Sequence, residues 1–400
     1  MRGQSTERED TMARERYFDL LRAVAIARVV TYHMFPLTVL ELGFPSMGVM
    51  FALGGSLMAL SLDKAATRAT GVILKRLRRL LPALWVLGAI AVPAMLIHGW
   101  EDPPWATLLF WVLPLADPPS NEFGAEAAGP LWYLVTYLWL VVLSPGLLRL
   151  YRRAPLPVLV APLVLLGIML VTPLGLPEIV ERTAGTVLAF ASSWMLGFAH
   201  RDGHLRRVPG VATVVIAIAC VAGALAWWQV YPGDEGGGIT DLPLAYAVFS
   251  AGFTLVLLRW TPPTGWLARA PFLDGLVSLV NARAVTIYLW HNVAITAAII
   301  VGNALELWNL GPVGEEGGTF LLALGLLSCA VLAIGWVEDV SAKRPPRLLP
   351  WPSKAAKAAG ATPRPPMPGP MPVPVPHHPT PVPSQSRIED QPTQDLTPRP

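Results

Sequence analysis

Residues 18–33 read FDLLRAVAIARVVTYH, two arginines and a histidine inside a run otherwise apolar enough for a bilayer. A charge near the centre of a membrane helix costs about 2.5–3.5 kcal/mol on insertion scales. Arg22 and His33 are 11 positions apart. At about 100° per residue they fall within roughly 20° of one another, on one helix face and roughly 16 Å apart. Arg28 points about 120° away from that face. Asp19 precedes Arg22 by three residues, close enough to pair with it. Arg22 suits either a functional cation or an anchor whose long side chain reaches the membrane surface. His33 lies deeper. It can hydrogen-bond a neighbouring helix, but an imidazole can also move protons near neutral pH or act as a nucleophile. A helix that keeps Arg28 and His33 needs a protein-lined or watery interior around them.

A second group of residues with chemical capacity is KRLRR at 75–79. Guanidinium groups bind phosphates through paired planar donors, and Arg76 and Arg79 lie about 60° apart on a helix, near enough to grip one polyphosphate. The ordinary alternative is topological anchoring by positive charge. His291, in IYLWHN, reads as a hydrogen-bonded structural histidine or a site residue. Trp132 and Tyr133 open another apolar run, where they suit an interfacial aromatic belt or the wall of an acceptor site. Acids in the polar links, Glu126 among them, could orient hydroxyl groups, although solvated loop acids are commoner. The two cysteines, Cys220 and Cys329, each sit inside an apolar run and imply neither a disulfide framework nor a metal site.

The elements that position these residues follow from composition. The 400-residue chain is 53% hydrophobic and only 14% charged, with mean hydropathy +0.49. Soluble domains carry about a quarter charged residues. Because the backbone must satisfy its own hydrogen bonds in lipid, long apolar runs imply helices. Ten runs are long enough: 20–40, 44–62, 79–98, 131–149, 156–175, 184–200, 208–230, 242–259, 284–302 and 319–337. The expected fold is therefore an all-α polytopic bundle of about ten transmembrane helices. The stretch 105–116 has 12 residues and reads as an interfacial segment. Leaving it out places every basic link (62–79, 149–155, 200–208, 259–283) on one side and every acidic link on the other, as the positive-inside rule requires. Both termini are then cytoplasmic and the protein is a multi-pass protein of the cell membrane. Residues 1–16 form a polar cytoplasmic leader. From about Pro345 the composition shifts, with 18 of the 41 prolines in the last 56 residues, so 341–400 reads as a proline-rich disordered tail that could recruit a weak partner. The net charge of +3 is small, and no nucleic-acid partner is expected.

Several segments in order resemble the membrane acyltransferase 3 family, whose members O-acylate surface polysaccharides and related acceptors. Arg22 and His33 match its pattern of Arg, ten residues, then His. GVMFALGGSLMA (48–59) resembles its second helix, and RLRRLLPALW (76–85) its RxxR–Leu–Pro segment, with Arg76 and Arg79 in the motif positions. GPLWYLVTYLWLVVLSP (129–145) and VTIYLWHN (285–292) resemble two later segments. Many bacterial members carry a glutamate soon after Leu-Trp-Tyr-Leu; here Tyr137 follows and no acid does. The resemblance implies a membrane domain over 17–340, with no bound cofactor and acyl-CoA, usually acetyl-CoA, as co-substrate. It implies donor binding by Arg76 and Arg79, and a site containing Arg22 and His33. His33 would be either the base that activates a carbohydrate or other hydroxyl acceptor or a transient acyl carrier. The alternatives are a polytopic transporter or flippase of a polar or lipid-linked substrate, and a membrane scaffold.

Overall fold

A computed structural model describes residues 2–65, 68–232 and 237–350, with the side chains of the first helix from residue 16 onward. Most of the expected proline-rich tail, from 351, lies outside the described residues. Among the described residues the chain is all-helical, with no strand. In order the helices are α1 (Arg2–Met34), α2 (Thr38–Gly43), α3 (Ser46–Lys64), α4 (Ala69–Ile97), α5 (Ala125–Ala128), α6 (Leu131–Arg153), α7 (Pro155–Val171), α8 (Glu178–Arg201), α9 (His204–Arg207), α10 (Gly210–Val230), α11 (Pro243–Arg259), α12 (Pro271–Ala282), α13 (Ala284–Ala304), α14 (Gly311–Ile334) and α15 (Trp336–Ser341).

Each apolar run read from the sequence falls mainly on one of these helices, the first continuing into α2 and the last into α15. Among the described residues, six helical segments are long and apolar enough to cross a bilayer: Thr38–Lys64, Ala69–Ile97, Leu131–Arg153, Gly210–Val230, Ala284–Ala304 and Leu307–Ile334. α7 and α11 are apolar but shorter. α1 and α8 are long and carry charges, Asp19, Arg22 and Arg28 in one and Glu178, Glu181, Arg182 and Arg201 in the other.

The end of the first run and the content of one basic link differ from the sequence reading, whereas the stretch 105–116 agrees with it. The first run, expected to reach 40, ends at Met34, because Pro36 lacks an N–H and disfavours helical backbone before it. The stretch 105–116 holds only a five-residue 3₁₀ helix, Thr107–Trp111, too short to cross. It is fastened by three indoles: Trp111 Nε1 donates to the Pro119 carbonyl at 3.0 Å, Trp85 to Val112 at 2.8 Å, and Trp139 to Leu115 at 2.9 Å. The basic link 259–283 contains α12, which carries Asn281 to α1.

Small residues set the tightest packing. α3 and α8 approach so closely that a Cβ at Gly197 would overlap the Ala52 carbonyl oxygen, and one at Gly55 would overlap that of Trp194. Small side chains permit this backbone approach where lipid offers no hydrophobic drive for helix association. Trp194, fully buried beside the crossing, donates from Nε1 to Ser144 Oγ at 2.9 Å. Gly197→Val should therefore destabilise the bundle, overpacking costing about 1–3 kcal/mol or more. Gly223→Val, on α10 where nothing lies within 4 Å of the added carbon, should not. Thermal melts of the two purified variants measure the difference; equal melting would show that the α3–α8 approach is not tight.

Candidate functional site

A cavity of about 820 Å³ opens among α1, α3, α4, α6, α13 and α15. Arg22, Arg76 and Arg79 all line it, joined by Lys64, Arg68 and Lys75. α4 supplies four of these cations from its first turns and its preceding residue, so they converge by helical spacing alone. Arg22 Nη1 donates to Asn281 Oδ1 at 2.9 Å, and Asn281 is itself fixed by donating to the carbonyls of Asp19 at 2.7 Å and Val277 at 2.8 Å. Asp19 stands 3.8 Å from Arg22. Arg76 donates to the Tyr137 hydroxyl at 2.7 Å and to Ser61 Oγ at 3.3 Å. Tyr137 thus enters the cavity wall as a neutral acceptor for an arginine. The carboxylate among the lining residues comes instead from Glu338 of α15.

Glu338 and its neighbour Asp339 also fix the start of α13. Glu338 Oε1 accepts from the Thr286 amide at 2.8 Å and the Thr286 hydroxyl at 2.6 Å, satisfying donors that a helix start leaves unpaired. Burial pushes the Glu338 carboxyl up from its ordinary value, against the opposing pull of Thr286 and the Arg283 charge. Arg283, with 0% side-chain exposure, pairs with Asp339 Oδ2 at 2.8 Å and meets the Arg347 carbonyl. Asp339 also accepts from the Arg347 amide at 3.2 Å and pairs with Arg344 at 3.2 Å. Burial pushes the Asp339 carboxyl up, but these hydrogen bonds and charges outweigh it and hold the group below its ordinary value.

Aromatic rings continue away from the cations. Tyr133 and Tyr288, both lining the cavity, stand 4.8 Å apart between ring centroids. Tyr288 lies 5.6 Å from His291, and His291 meets His33 edge-on at 4.8 Å. Tyr288 donates its hydroxyl to the Pro130 carbonyl at 2.9 Å. His291 Nδ1 lies 2.6 Å from the Tyr288 carbonyl, and His33 Nδ1 2.9 Å from that of Val29. A carbonyl only accepts, so Nδ1 carries a proton in both rings, and Nε2 is the nitrogen that offers a lone pair when the ring is uncharged. The two differ in access: His33 is exposed, and His291 is 1% exposed with Nε2 unpartnered. Beside His291, Asn292 donates to Glu126 at 3.2 Å. Met34, next to His33, walls a second recess of about 260 Å³ with Asn303, Glu315, Glu316 and Thr319.

The site residues read from the sequence thus divide. Arg22, Arg76, Arg79 and Tyr133 share the cavity. His33 and His291 form a pair reached through Tyr288. Trp132 is in neither group; it stacks on Phe190 at 5.5 Å. Arg28 donates to the Leu40 carbonyl at 2.8 Å and lies 4.5 Å from the Tyr32 ring. Asn281 and Glu338 were missed, since nothing local distinguishes them and only the fold carries them to the cavity. Tyr137 and Tyr288 stand inside quoted motifs, where their reach toward Arg76 and His291 follows only from helix packing. No group of three or more possible metal ligands occurs among the described residues.

An all-helical bundle with bilayer-length apolar helices, enclosing a cation-lined cavity, defines a membrane protein built around a buried polar site. Residues 15–337 match the model of the acyltransferase 3 family, described as an acyltransferase domain. The chain belongs to that family and is a membrane acyltransferase. No curated protein and no solved structure matches it.

Removing Asp339 leaves the Arg283 charge buried without its carboxylate, which costs about 3–5 kcal/mol. Asp339→Ala should lower the melting temperature markedly at neutral pH. Asp339 titrates below its unfolded value, so its contribution is present at neutral pH and is lost as the pH falls through that lowered value. The gap between wild type and variant should therefore narrow on acidification. Melts across a pH series check this; a gap independent of pH would mean that the pair contributes no charge-dependent stability.

Proposed function

We propose that the protein is an integral-membrane O-acyltransferase that moves an acyl group, usually acetyl, from cytoplasmic acyl-CoA to a hydroxyl of a carbohydrate or other surface or secreted acceptor. The observation that carries this reading is the continuity of contacts from six cations to an exposed imidazole: Arg22, Arg76 and Arg79 in the cavity, then Tyr133, Tyr288, His291 and His33. A donor with several phosphates suits the cationic end, where guanidinium groups form charge-assisted bonds. The volume of about 820 Å³ suits an extended thioester arm. His33, exposed and with a free Nε2 lone pair, is the base that takes the acceptor's hydroxyl proton. The recess beside Met34 is the side from which the acceptor arrives. Arg22 holds donor phosphate or lines the conduit.

The membrane arrangement belongs to the same proposal: ten crossings by α1, α3, α4, α6, α7, α8, α10, α11, α13 and α14, both termini in the cytoplasm, in the cell membrane. A protein in which Cys220 and Cys329 are replaced and a single cysteine is placed at Ser120 or Arg206, both exposed, tests it. An impermeant thiol reagent added outside intact cells should label the Ser120 position and not the Arg206 position. Labelling of both, or the reverse, would overturn the arrangement.

The chemistry is tested with purified protein, acetyl-CoA and extracts of host glycans and lipids, followed by mass spectrometry of products. Arg76→Ala and Arg79→Ala should each raise the KM for acetyl-CoA by roughly one to two decades, the worth of a lost charge-assisted hydrogen bond. His33→Gln should abolish transfer with donor binding intact, because the amide does not take up a proton near neutral pH. Normal donor affinity in both arginine variants would remove the cluster from donor binding. Near-normal turnover of His33→Gln would remove His33 from the chemistry. Substrate flux across vesicles without thioester consumption would instead support a transporter.

A further inference from the structure

The donor–acceptor reading gives no role to the buried imidazole of His291. His291 Nε2 is an orphaned nitrogen in the middle of the path, on a ring with 1% exposure. Its Nδ1–H is committed to the Tyr288 carbonyl, which fixes both the tautomer and the direction of the ring. A buried polar atom without a partner is costly, and one packed beside a cavity wall is a candidate to meet a partner during function. Access separates the two histidines. A base that meets an acceptor from outside must be reachable, and of the pair His33 is the exposed one. His291 stands between His33 and Tyr288, which lines the donor cavity. His291 is thus the member of the pair packed against the donor cavity's wall, and its Nε2 is buried away from water.

We infer that His291 is the transient acyl carrier of this enzyme, and that His33 serves the second half of the reaction as base. The inference rests on the acyl-thioester reading above. In the first step the Tyr133 and Tyr288 rings part to admit the thioester. The His291 Nε2 lone pair attacks the carbonyl carbon, the carbon–sulfur bond breaks, and the thiolate leaves with the sulfur electrons and takes a proton from water in the open cavity. The product is an acyl-imidazolium whose Nδ1–H still bonds the Tyr288 carbonyl. In the second step the acceptor oxygen attacks the acyl carbon, its proton passes to His33 Nε2, and the nitrogen–carbon bond breaks to restore neutral His291. His33 then releases its proton on the exposed side. One thioester and one alcohol become one ester and one thiol, with one proton taken up on the cavity side and one released on the other. Exclusion of water from Nε2 matters here, because acyl-imidazoles hydrolyse readily.

A carrier makes the first step run without acceptor, and isotope exchange reads that step directly. The full chain in lipid nanodiscs is mixed with unlabelled acetyl-CoA and labelled CoA, with no acceptor present, and labelled acetyl-CoA is followed. Wild type and His33→Gln should both exchange label, although His33→Gln transfers nothing to acceptor. His291→Gln should lose exchange by at least about 100-fold while retaining acetyl-CoA affinity, measured in the same discs as the check on folding. Acid-quenched wild type should carry the acetyl mass on the peptide containing His291 and not on that containing His33. The wild-type arm and the peptide mass decide the matter even if His291→Gln does not fold. Exchange retained in His291→Gln, exchange lost in His33→Gln, or the acetyl mass on the His33 peptide overturns the carrier role. Wild type that binds and transfers acetyl groups without exchange also overturns it, and leaves the acyltransferase reading standing. Wild type that does not bind acetyl-CoA removes the acyl-CoA donor of the proposed function and the carrier with it.

Discussion

A guanidinium with no exposed surface has to be answered by a fixed negative charge, and at Arg283 that demand organises the site. Its partner Asp339 arrives from α15, 56 positions later, and the neighbouring Glu338 satisfies the Thr286 amide and hydroxyl of the same helix start. Two adjacent carboxylates thus do different work, one neutralising a cation and one capping a helix. With the first turn of α13 fixed, Tyr288 follows within one turn and His291 within two. The start of α13, and with it the placement of Tyr288 and His291, is thus held in part by α15.

The polar groups around that helix are graded in charge. The cavity concentrates cations toward one end, and its carboxylate, Glu338, is already engaged by Thr286. Neutral rings follow, whose hydrogen-bonding groups are mostly committed to backbone carbonyls: Tyr288 to Pro130, His291 to Tyr288 and His33 to Val29. Interior electrostatics are stronger than those in water, so an anionic group is held at the cationic end while the neutral stretch beyond it offers no site for a charge. A small uncharged acyl group suffers no such penalty. On the proposed acyl-CoA reading, this gradation is what retains the donor's phosphates and lets the acyl group pass.

Much of this was legible in the chain. Long apolar runs mark the helices because lipid leaves the backbone no other way to satisfy itself, and each run falls mainly on one. Arg22 was picked out by its place in an apolar run and by the family resemblance, and Arg76 and Arg79 by their spacing on one helix, their phosphate-binding chemistry and the same resemblance. What the sequence hid was long-range pairing. Nothing near Asn281 announces that it will hold Arg22 across 259 positions, and Glu338 resembles any acid beyond a last apolar run. The helix end at Met34 was signalled by Pro36, but apolar Phe35 and Leu37 continue the hydropathy past it. Trp132 illustrates the converse. An aromatic residue at the start of an apolar run suggests an interface or a site, and here its neighbours are Phe190 and Tyr133.

The docking of α15 also orders events during synthesis. α13 begins to emerge from the ribosome about 50 residues of translation ahead of Glu338 and Asp339, and for that interval Arg283 is uncompensated and the first amides of α13 are uncapped. At roughly 5–20 residues per second this delay lasts a few seconds. The nascent chain passes that interval with an unfinished cavity. Glu338, the carboxylate of the lining, joins the cavity only when the last short helix emerges. A ribosome that stalls or terminates just short of Glu338 would release an inserted bundle that lacks its final clasp, a species that quality-control proteases could distinguish from the finished protein by its loose α13 terminus.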